Sequence, residues 1–295
     1  MRARLVSTEE LKSLCDKEWV DKSRRPYVSG NNAWVPVRAG YYADRDLSEK
    51  MPYSGRGYQM IGDIVLIRGS LPTDDEIRTI VKWKHPRGIV HIESFDGLKR
   101  IPKTSILYGE CGEVCHRENG YRFWLDPSKV MFAMGNREEK VRIAEMIKNS
   151  GRQEMVADMF AGIGYFTIPA ACSGARVHAM EINPVSYSYL KKNAGENGVS
   201  QLVHAECGDC RNLLRGEYDR VLMGHFDAVR MLPYVLKHIH PESVLHVHSI
   251  GEVKDEILTH LSEAGYGAEI TRHRVKKYSP GKWHIVQDVI VHEKL

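Results

Sequence analysis

The sequence predicts an α/β fold, a doubly wound and mostly parallel sheet preceded by a smaller α+β region. From residue 155 onward, apolar segments of strand length alternate with helical segments of about ten residues, as in successive strand–helix–strand units. The first of these strands runs into a tight turn that contains Gly162 and Gly164. The chain ends in two strand-like segments without a helix between them, which predicts an antiparallel hairpin at one edge of the sheet.

The smaller region is expected to span residues 1–112, and the larger region residues 113–295. In the smaller region, residues 8–19 and 74–83 are predicted helices, and residues 61–67 and 88–94 are predicted strands. In the larger region, we expect helices at residues 137–149, 165–172, 184–197, 228–238 and 253–264. The expected strands there are residues 155–160, 176–180, 202–205, 220–223, 244–247, 268–275 and 285–292.

Composition places the chain among ordinary globular proteins. It has 295 residues, of which 42% are hydrophobic and 27% charged, with a formal net charge of +4. No apolar run approaches the ~20 residues of a membrane helix, and the polar start is unlike a signal peptide, so a cytoplasmic location is expected. The mild positive charge is compatible with a local basic face for a phosphate-rich partner.

No metal site is expected. Six cysteines are present, and in a chain without an export signal they are interpreted as reduced thiols. The pair Cys207 and Cys210 has zinc-ligand spacing, and with Cys111 and Cys115 it makes a four-thiolate site conceivable. The pair overlaps a predicted cofactor loop and has no histidine at ligand spacing, so inert thiols are the preferred interpretation.

Acidic and glycine residues follow three successive predicted strands. Gly162 and Gly164 allow a close backbone approach to a ligand at the start of a helix, and Glu181 lies where a carboxylate can accept both ribose hydroxyls. Asp209 follows the next strand and is placed to accept from an adenine amino group. Because the carboxyl ends of parallel strands share one edge, these residues together predict an adenosine-type cofactor site. Individually, Glu181 can also be a helix cap and Asp209 an ordinary turn residue.

The turn favours S-adenosyl-L-methionine over a nicotinamide dinucleotide. A third glycine of the dinucleotide fingerprint is missing, because Tyr165, Phe166 and Thr167 follow Gly164. Asp158 supplies a carboxylate that can meet the ammonium group of S-adenosylmethionine. The predicted cofactor-binding residues are Asp158, Phe160, Ala161, Gly162, Gly164, Phe166, Glu181, Ile182, Asp209 and Cys210.

Several segments resemble a family of tRNA-modifying enzymes that act at position 37, beside the anticodon. The resemblance is carried by residues 130–136 with Glu139 and Arg142, by residues 158–169, and by shorter matches at 61–64, 118–120 and 276–284. The family contains the tRNA guanosine-37 N1-methyltransferases and the wybutosine-pathway aminocarboxypropyltransferases. The resemblance implies a Rossmann-like class I S-adenosylmethionine-dependent transferase sheet, and a tRNA partner bound at its anticodon loop.

Two departures distinguish the branches of this family. The methyltransferase branch has Asn-(Leu/Pro)-Pro after the fourth strand. In an earlier segment it has a functional arginine after Phe-Ser-Pro. Here the residues after the fourth strand are Gly224, His225 and Phe226. The earlier segment contains Met134, Gly135 and Asn136 in place of the motif with the arginine. Both departures resemble the archaeal aminocarboxypropyltransferases. The implied reaction moves the 3-amino-3-carboxypropyl group to ring carbon seven of 4-demethylwyosine in phenylalanine tRNA.

Substrate contacts are expected around the same edge. His225 is the candidate catalytic base, although a loop histidine that contacts only solvent or backbone would look the same. The predicted substrate-binding residues are Asn136, Tyr165, Phe226, Lys276 and Lys277, with the two aromatic rings placed to stack on a splayed base. The alternative functions are guanosine-37 N1-methylation, a non-catalytic RNA-binding module on the same scaffold, and a small-molecule methyltransferase, which the separate N-terminal region disfavours.

Overall fold

The computed structural model describes residues 1–11, 13–14, 16–47, 53–132 and 134–294, in two compact units, Met1–Ser54 and Gly55–Leu295. Cys15, one of the six predicted thiols, lies outside the described residues, and the other five are free cysteines. The predicted boundary after residue 112 lies inside the second unit and stays a prediction. No helix in the described ranges is long and apolar enough to cross a membrane.

The first unit is a small antiparallel sheet. Its elements are β1 (Arg2–Ser7), α1 (Thr8–Leu11), β2 (Tyr27–Ser29), β3 (Asn32–Pro36) and β4 (Arg45–Asp46), with strand order β2-β3-β1-β4. The helix predicted over residues 8–19 is helical only to Leu11 among its described residues. The chain then turns back toward the sheet, where the Trp19 ring lies 4.6 Å from the guanidinium carbon of Arg4 on β1.

The second unit begins with a four-stranded sheet. It contains β5 (Gln59–Ile61), β6 (Ile64–Arg68), α2 (Asp74–Lys84), β7 (Gly88–Asp96) and β8 (Ile101–Gly109), in the order β5-β6-β7-β8. The single strand predicted over residues 61–67 was wrong: Ile61 pairs with Ile64 across a tight hairpin, in which Gly62 has a φ of 55°. A continuous apolar run does not by itself show such a turn. The predicted helix over residues 74–83 is confirmed as α2, and the strand over 88–94 as β7.

A two-stranded ribbon and a helix connect the two sheets. The ribbon pairs β9 (Val114–Glu118) with β10 (Tyr121–Leu125) through a turn in which Asn119 and Gly120 both have positive φ. A 3₁₀ turn, Met134–Asn136, then leads into α3 (Arg137–Asn149). The bounds of α3 are those that the apolar spacing predicts.

The large sheet confirms the predicted doubly wound architecture. Its strands are β11 (Met155–Asp158), β12 (Arg176–Glu181), β13 (Val203–Cys207), β14 (Arg220–Met223), β15 (Val244–Ile250), β16 (Tyr266–Ser279) and β17 (Lys282–Lys294). Its helices are α4 (Thr167–Cys172), α5 (Pro184–Glu196), α6 (Cys210–Leu213), α7 (Leu232–Val235) and α8 (Lys254–Glu263). The strand order is β13-β12-β11-β14-β15-β17-β16, parallel except for β17, which is antiparallel to both of its neighbours.

One predicted helix of the large region is broken. Residues 228–238 form a 3₁₀ turn, Ala228–Met231, followed by α7 rather than one continuous helix. Pro233 has no N–H to donate and is therefore accommodated in the first turn of a new helix.

The central strand β11 separates two apolar cores. Val156 packs into the core that also contains Ile143 of α3, whereas Ala157 packs into the core that contains Leu232 of α7. Alternate side chains of a strand point to opposite faces, so β11 is buried on both sides. Its carboxyl end is thereby fixed in the middle of the sheet edge, where the Gly162–Gly164 turn begins.

Candidate active site at the carboxyl edge of the large sheet

Asp158 anchors the loop that follows β11. It is fully buried, its Oδ2 accepts from the Thr167 hydroxyl at 2.7 Å, and its Oδ1 accepts from the Phe160 N–H at 3.4 Å. Burial raises the pKa of the Asp158 carboxyl to about 6. The structure therefore places this predicted cofactor residue beneath the loop, where it ties the start of α4 to the end of β11.

The glycine turn is built on backbone conformations that favour glycine. Gly162 and Gly164 have φ values of 57° and 102°. A β-carbon on Gly164 would lie 2.8 Å from Cγ1 of Ile168, and one on Gly162 would lie 3.2 Å from the Tyr165 ring. The turn consequently approaches the edge of the sheet as bare backbone, which is the form a bound cofactor requires.

Glu181 joins the first two strand ends. Its Oε2 accepts the Gly162 N–H at 2.8 Å, and its Oε1 accepts the Asn183 N–H at 2.7 Å. Burial raises the pKa of the Glu181 carboxyl. Each carboxylate oxygen keeps a second lone pair, so the group remains able to accept from two hydroxyls.

The third strand end carries Asp209. The Asp209 side chain caps α6 by accepting the Arg211 N–H at 3.0 Å, and it forms an ion pair with the Arg211 guanidinium. Both contacts hold the pKa of the Asp209 carboxyl below its usual range, the side-chain contact most strongly. The Gly208 N–H donates to the Glu181 carbonyl at 2.9 Å, so the predicted ribose and adenine residues lie on joined loops.

The cysteines do not assemble into the conceivable four-thiolate site. Burial raises the pKa of the Cys210 thiol to about 11. Two groups of three potential metal ligands occur among the described residues, and neither contains a cysteine. They are His178, His204 and Glu206, and Glu139, His246 and Asp288.

The fourth strand end places His225 next to the glycine turn. Its ring stacks on Phe160, with 5.3 Å between centroids and 29° between planes. Its Nδ1 accepts the Asp227 N–H at 3.2 Å and lies 3.8 Å from the Asp227 carboxylate. Burial, with Arg100 nearby, lowers the pKa of His225, so the ring is neutral near pH 7. A neutral ring is the form that can accept a proton.

Aromatic rings line the same strand end. Phe226 meets Tyr278 and His284 edge to face, at centroid distances of 5.5 Å and 5.0 Å. A β-carbon on Gly224 would lie 3.4 Å from Phe166, an ordinary van der Waals contact, so the Phe166 ring lies close to this strand end. Gly224, His225 and Phe226 form this wall, and none of the three has a side-chain amide.

A buried histidine pair behind Phe226 is the part of the site that sequence reasoning missed. His248 Nδ1 and His284 Nε2 are 2.9 Å apart, both rings are buried, and Phe166 packs edge-on against His248. Burial, with Lys276 nearby, lowers the pKa of His284 to about 4. Histidines that alternate along one strand, as His246 and His248 do, are typical of packing, and the resemblance over residues 276–284 was the one available signal for His284.

The predicted substrate-binding residues differ in their exposure and in their contacts. The Tyr165 hydroxyl donates to the Met131 carbonyl at 2.8 Å, and its ring lies 4.7 Å from the Lys140 ammonium, so this ring supports the glycine turn from within the protein. Lys277 is exposed on β16. Lys276 is partly buried, and Asn136 has a buried Oδ1 without a hydrogen-bond partner among the described residues.

The comparisons with known proteins agree with this geometry. Residues 114–267 match the family described as the TRM5/TYW2 methyltransferase domain. The chain is 35% identical over 246 residues to a Methanocaldococcus jannaschii tRNA(Phe) (4-demethylwyosine(37)-C(7)) aminocarboxypropyltransferase, covering 79% of this chain and 97% of the relative. It is 30% identical over 249 residues to the tRNA (guanine(37)-N(1))-methyltransferase Trm5b of the same organism, covering 80% of this chain and 71% of that relative.

The solved structures include a similar protein with a bound cofactor. The M. jannaschii TYW2 crystal structure in complex with AdoMet matches with a TM-score of 0.64 and 29% identity, covering 81% of this chain and all of that chain. The matched family domain begins at β9 and includes every strand end described above. From the motifs, the fold and these matches together, the chain belongs to the TRM5/TYW2 family.

Proposed function

We propose that this protein is a tRNA(Phe) 4-demethylwyosine(37) aminocarboxypropyltransferase with S-adenosyl-L-methionine as the donor. The relative with the higher identity, matched over nearly its whole length, carries this activity in its name. The observation in the structure that carries the proposal is the wall at Gly224, His225 and Phe226. It offers aromatic faces to a flat tricyclic base, and it lacks the amide and proline of the methyltransferase pattern.

The donor site fits the residues that are present. The Gly162 turn is held by Glu181, which accepts the Gly162 N–H and retains acceptor capacity for the two ribose hydroxyls. Asp209 and the buried Cys210 at the next strand end suit the adenine ring. Bound S-adenosylmethionine supplies a sulfonium whose γ-carbon is open to nucleophilic attack.

The protein's task in the reaction is to position the base and accept a proton. Carbon seven of the base attacks the γ-carbon, the carbon–sulfur bond breaks with its electron pair on sulfur, and methylthioadenosine leaves. The proton on carbon seven must then be lost. His225 can take it at Nε2 in the tautomer that carries its proton on Nδ1, where Nδ1–H donates to the Asp227 carboxylate instead of accepting the Asp227 N–H, because a neutral imidazole carries its proton on only one nitrogen.

The tRNA partner is proposed to present position 37 as a splayed base. Phe226 lies at the strand end where such a base can stack. Lys277, with Arg272 and Arg274 on the same exposed strand, supplies cations for phosphates. Affinity for tRNA is then expected to fall steeply as salt rises. A cytoplasmic site of action follows from a tRNA substrate.

The test uses tRNA with 4-demethylwyosine at position 37 and, in a parallel reaction, the same tRNA with guanosine at position 37. Each is incubated with two donor preparations, one labelled in the methyl group and one in the carboxyl carbon. Mass spectrometry of the nucleoside at position 37 is expected to find the carboxyl label alone. Methyl label on guanosine-37 would establish the alternative, the N1-methyltransferase, which the similarity to Trm5b keeps in consideration. A calorimetric titration without any donor binding would instead support a non-catalytic RNA-binding module.

A further inference from the structure

Gly135 leaves the space that the Lys276 side chain fills. A β-carbon built on Gly135 would overlap the Lys276 ammonium and would lie 3.0 Å from Cδ and Cε of the same side chain. Gly135 is in the 3₁₀ turn before α3, and Lys276 is on β16, opposite His284 of β17. Only glycine at position 135 therefore allows this lysine to lie across the turn.

The Lys276 ammonium forms no ion pair with any described residue. No described residue places a carboxylate within 4 Å of it, whereas Arg68 adds a second cation to its surroundings. Burial and Arg68 together lower the pKa of Lys276. A partly buried cation without a partner is costly, and binding an anion would offset that cost.

The residue after Gly135, Asn136, supplies a hydrogen-bond acceptor. Asn136 precedes α3 without capping it, and its buried Oδ1 has no hydrogen-bond partner among the described residues. This turn thus contains an acceptor without a partner among the described residues, and the Lys276 ammonium lies over the residue that precedes it. This pair matches an α-amino acid head group, which carries a carboxylate and an ammonium on one carbon.

The order of the strands indicates the direction in which a bound donor extends from its adenine toward Lys276 and Asn136. The predicted adenine and ribose residues, Asp209 and Glu181, follow β13 and β12, and the glycine turn follows β11 in the middle of the sheet. Beyond it, on the side away from adenine, lie β14, β15, β17 and β16. A donor laid along the edge from Asp209 would extend its amino acid end toward the half of the sheet that contains Lys276.

We infer that Lys276 binds the α-carboxylate of the aminocarboxypropyl group in the donor, and that Asn136 Oδ1 binds its α-ammonium. Asn136 thereby replaces Asp158 as the expected partner of the ammonium, because the Asp158 oxygens accept from Thr167 and Phe160. This inference rests on the proposed function, since it assigns the residues that hold the group to be transferred. Gly135 has a specific part in it, because the glycine makes room for the lysine. The two residues are positioning residues for the γ-carbon.

The experiment compares three adenosyl ligands by calorimetry in the absence of RNA. S-adenosylmethionine has the carboxylate and the ammonium, its decarboxylated analogue has only the ammonium, and methylthioadenosine has neither. Lys276→Met is expected to weaken S-adenosylmethionine roughly 10- to 100-fold, the scale of a lost charged hydrogen bond, and to leave the other two ligands within about twofold. Asn136→Ala is expected to weaken the two ligands that have the ammonium and to spare methylthioadenosine.

The Gly135→Ala variant tests whether Lys276 needs the space that the glycine leaves. It is expected to reproduce the loss of Lys276→Met for S-adenosylmethionine, and the double variant is expected to lose nothing further, because both changes remove the same contact. The matched control is Lys254→Met, at an exposed lysine on α8. Thermal unfolding of each variant shows that it is folded.

Two results would overturn the inference. One is an equal loss of all three ligands in Lys276→Met, which would mean damage to the adenosyl site. The other is unchanged donor affinity with weakened tRNA binding, which would assign Lys276 to an RNA phosphate. Failure of the proposed function is seen separately, as methyl label on the tRNA with the unaltered protein.

Discussion

The Glu181 carboxylate accepts the Gly162 backbone N–H at 2.8 Å, so the residue predicted to hold the ribose also fixes the shape of the glycine turn. Its other oxygen accepts the Asn183 N–H at 2.7 Å. Two backbone donors thereby hold the side chain in one orientation before any ligand binds. This preorganisation reduces the entropic cost of donor binding.

Replacing Glu181 should weaken every adenosyl ligand to the same extent. We expect Glu181→Ala to lower the affinity for S-adenosylmethionine and for methylthioadenosine by roughly tenfold or more, because charged hydrogen bonds contribute about 1.5–3 kcal/mol. Both ligands contain the ribose, which is the contrast with Lys276→Met. Calorimetric titration measures the two affinities. A loss confined to S-adenosylmethionine would place Glu181 at the amino acid end instead.

Gly164 and Gly174 form a matched pair for testing the glycine turn. Their φ values are 102° and 101°, but a β-carbon would lie 2.8 Å from Ile168 at Gly164 and would meet nothing within 4 Å at Gly174. An alanine would have the same backbone strain at both positions, but its methyl group would be overpacked only at position 164. We expect Gly164→Ala to lose about 1–3 kcal/mol more free energy of unfolding than Gly174→Ala. Urea denaturation gives both values, and equal losses would show that the turn relaxes around the added methyl group.

The sequence predicts most of the large sheet, because its strands and helices are local apolar patterns. Arg220–Met223 and Arg137–Asn149 have the predicted bounds. The hairpin at Gly62 was missed because a two-residue turn leaves an apolar run almost unbroken. The contact of Lys276 with Gly135 was inaccessible for a different reason: it joins residues far apart in the chain, and neither belongs to a pattern that predicts the other. The glycines and acids of the donor site were predictable because they follow strands directly.

The buried histidine pair should make stability depend on pH. Burial holds the pKa of His284 at about 4, against an ordinary value of 6.5 in the unfolded chain. Below pH 6.5 the unfolded state binds a proton on His284 that the folded state does not bind. The contribution of His284 to the free energy of unfolding is therefore complete above pH 6.5 and is lost as the pH falls toward 4. We expect the urea midpoint of the unaltered protein to fall more steeply across this range than that of His284→Gln. Parallel slopes would mean that the His248–His284 contact opens before the ring titrates.

His225 is the prediction that bears most directly on the chemistry. His225→Phe keeps a ring beside Phe160, where the histidine now lies at 5.3 Å between centroids, but removes both nitrogens. If His225 accepts the proton from carbon seven, kcat should fall about 10²- to 10⁴-fold while KM for tRNA changes little. The acid limb of the pH–rate profile, which lies below pH 6.5 because burial and Arg100 lower the pKa of His225, should disappear with it.

Asp227→Asn separates the proton transfer from simple stacking. The carboxylate, 3.8 Å from Nδ1, is the group that would receive Nδ1–H when Nε2 acts as the base, whereas the Asp227 backbone N–H is present in either variant. We therefore expect Asp227→Asn to lower kcat with unchanged donor affinity, measured by single-turnover transfer to saturating tRNA. If His225→Phe and Asp227→Asn both retain kcat within tenfold, the proton leaves to water, and the His225 ring contributes only the flat surface beside Phe160.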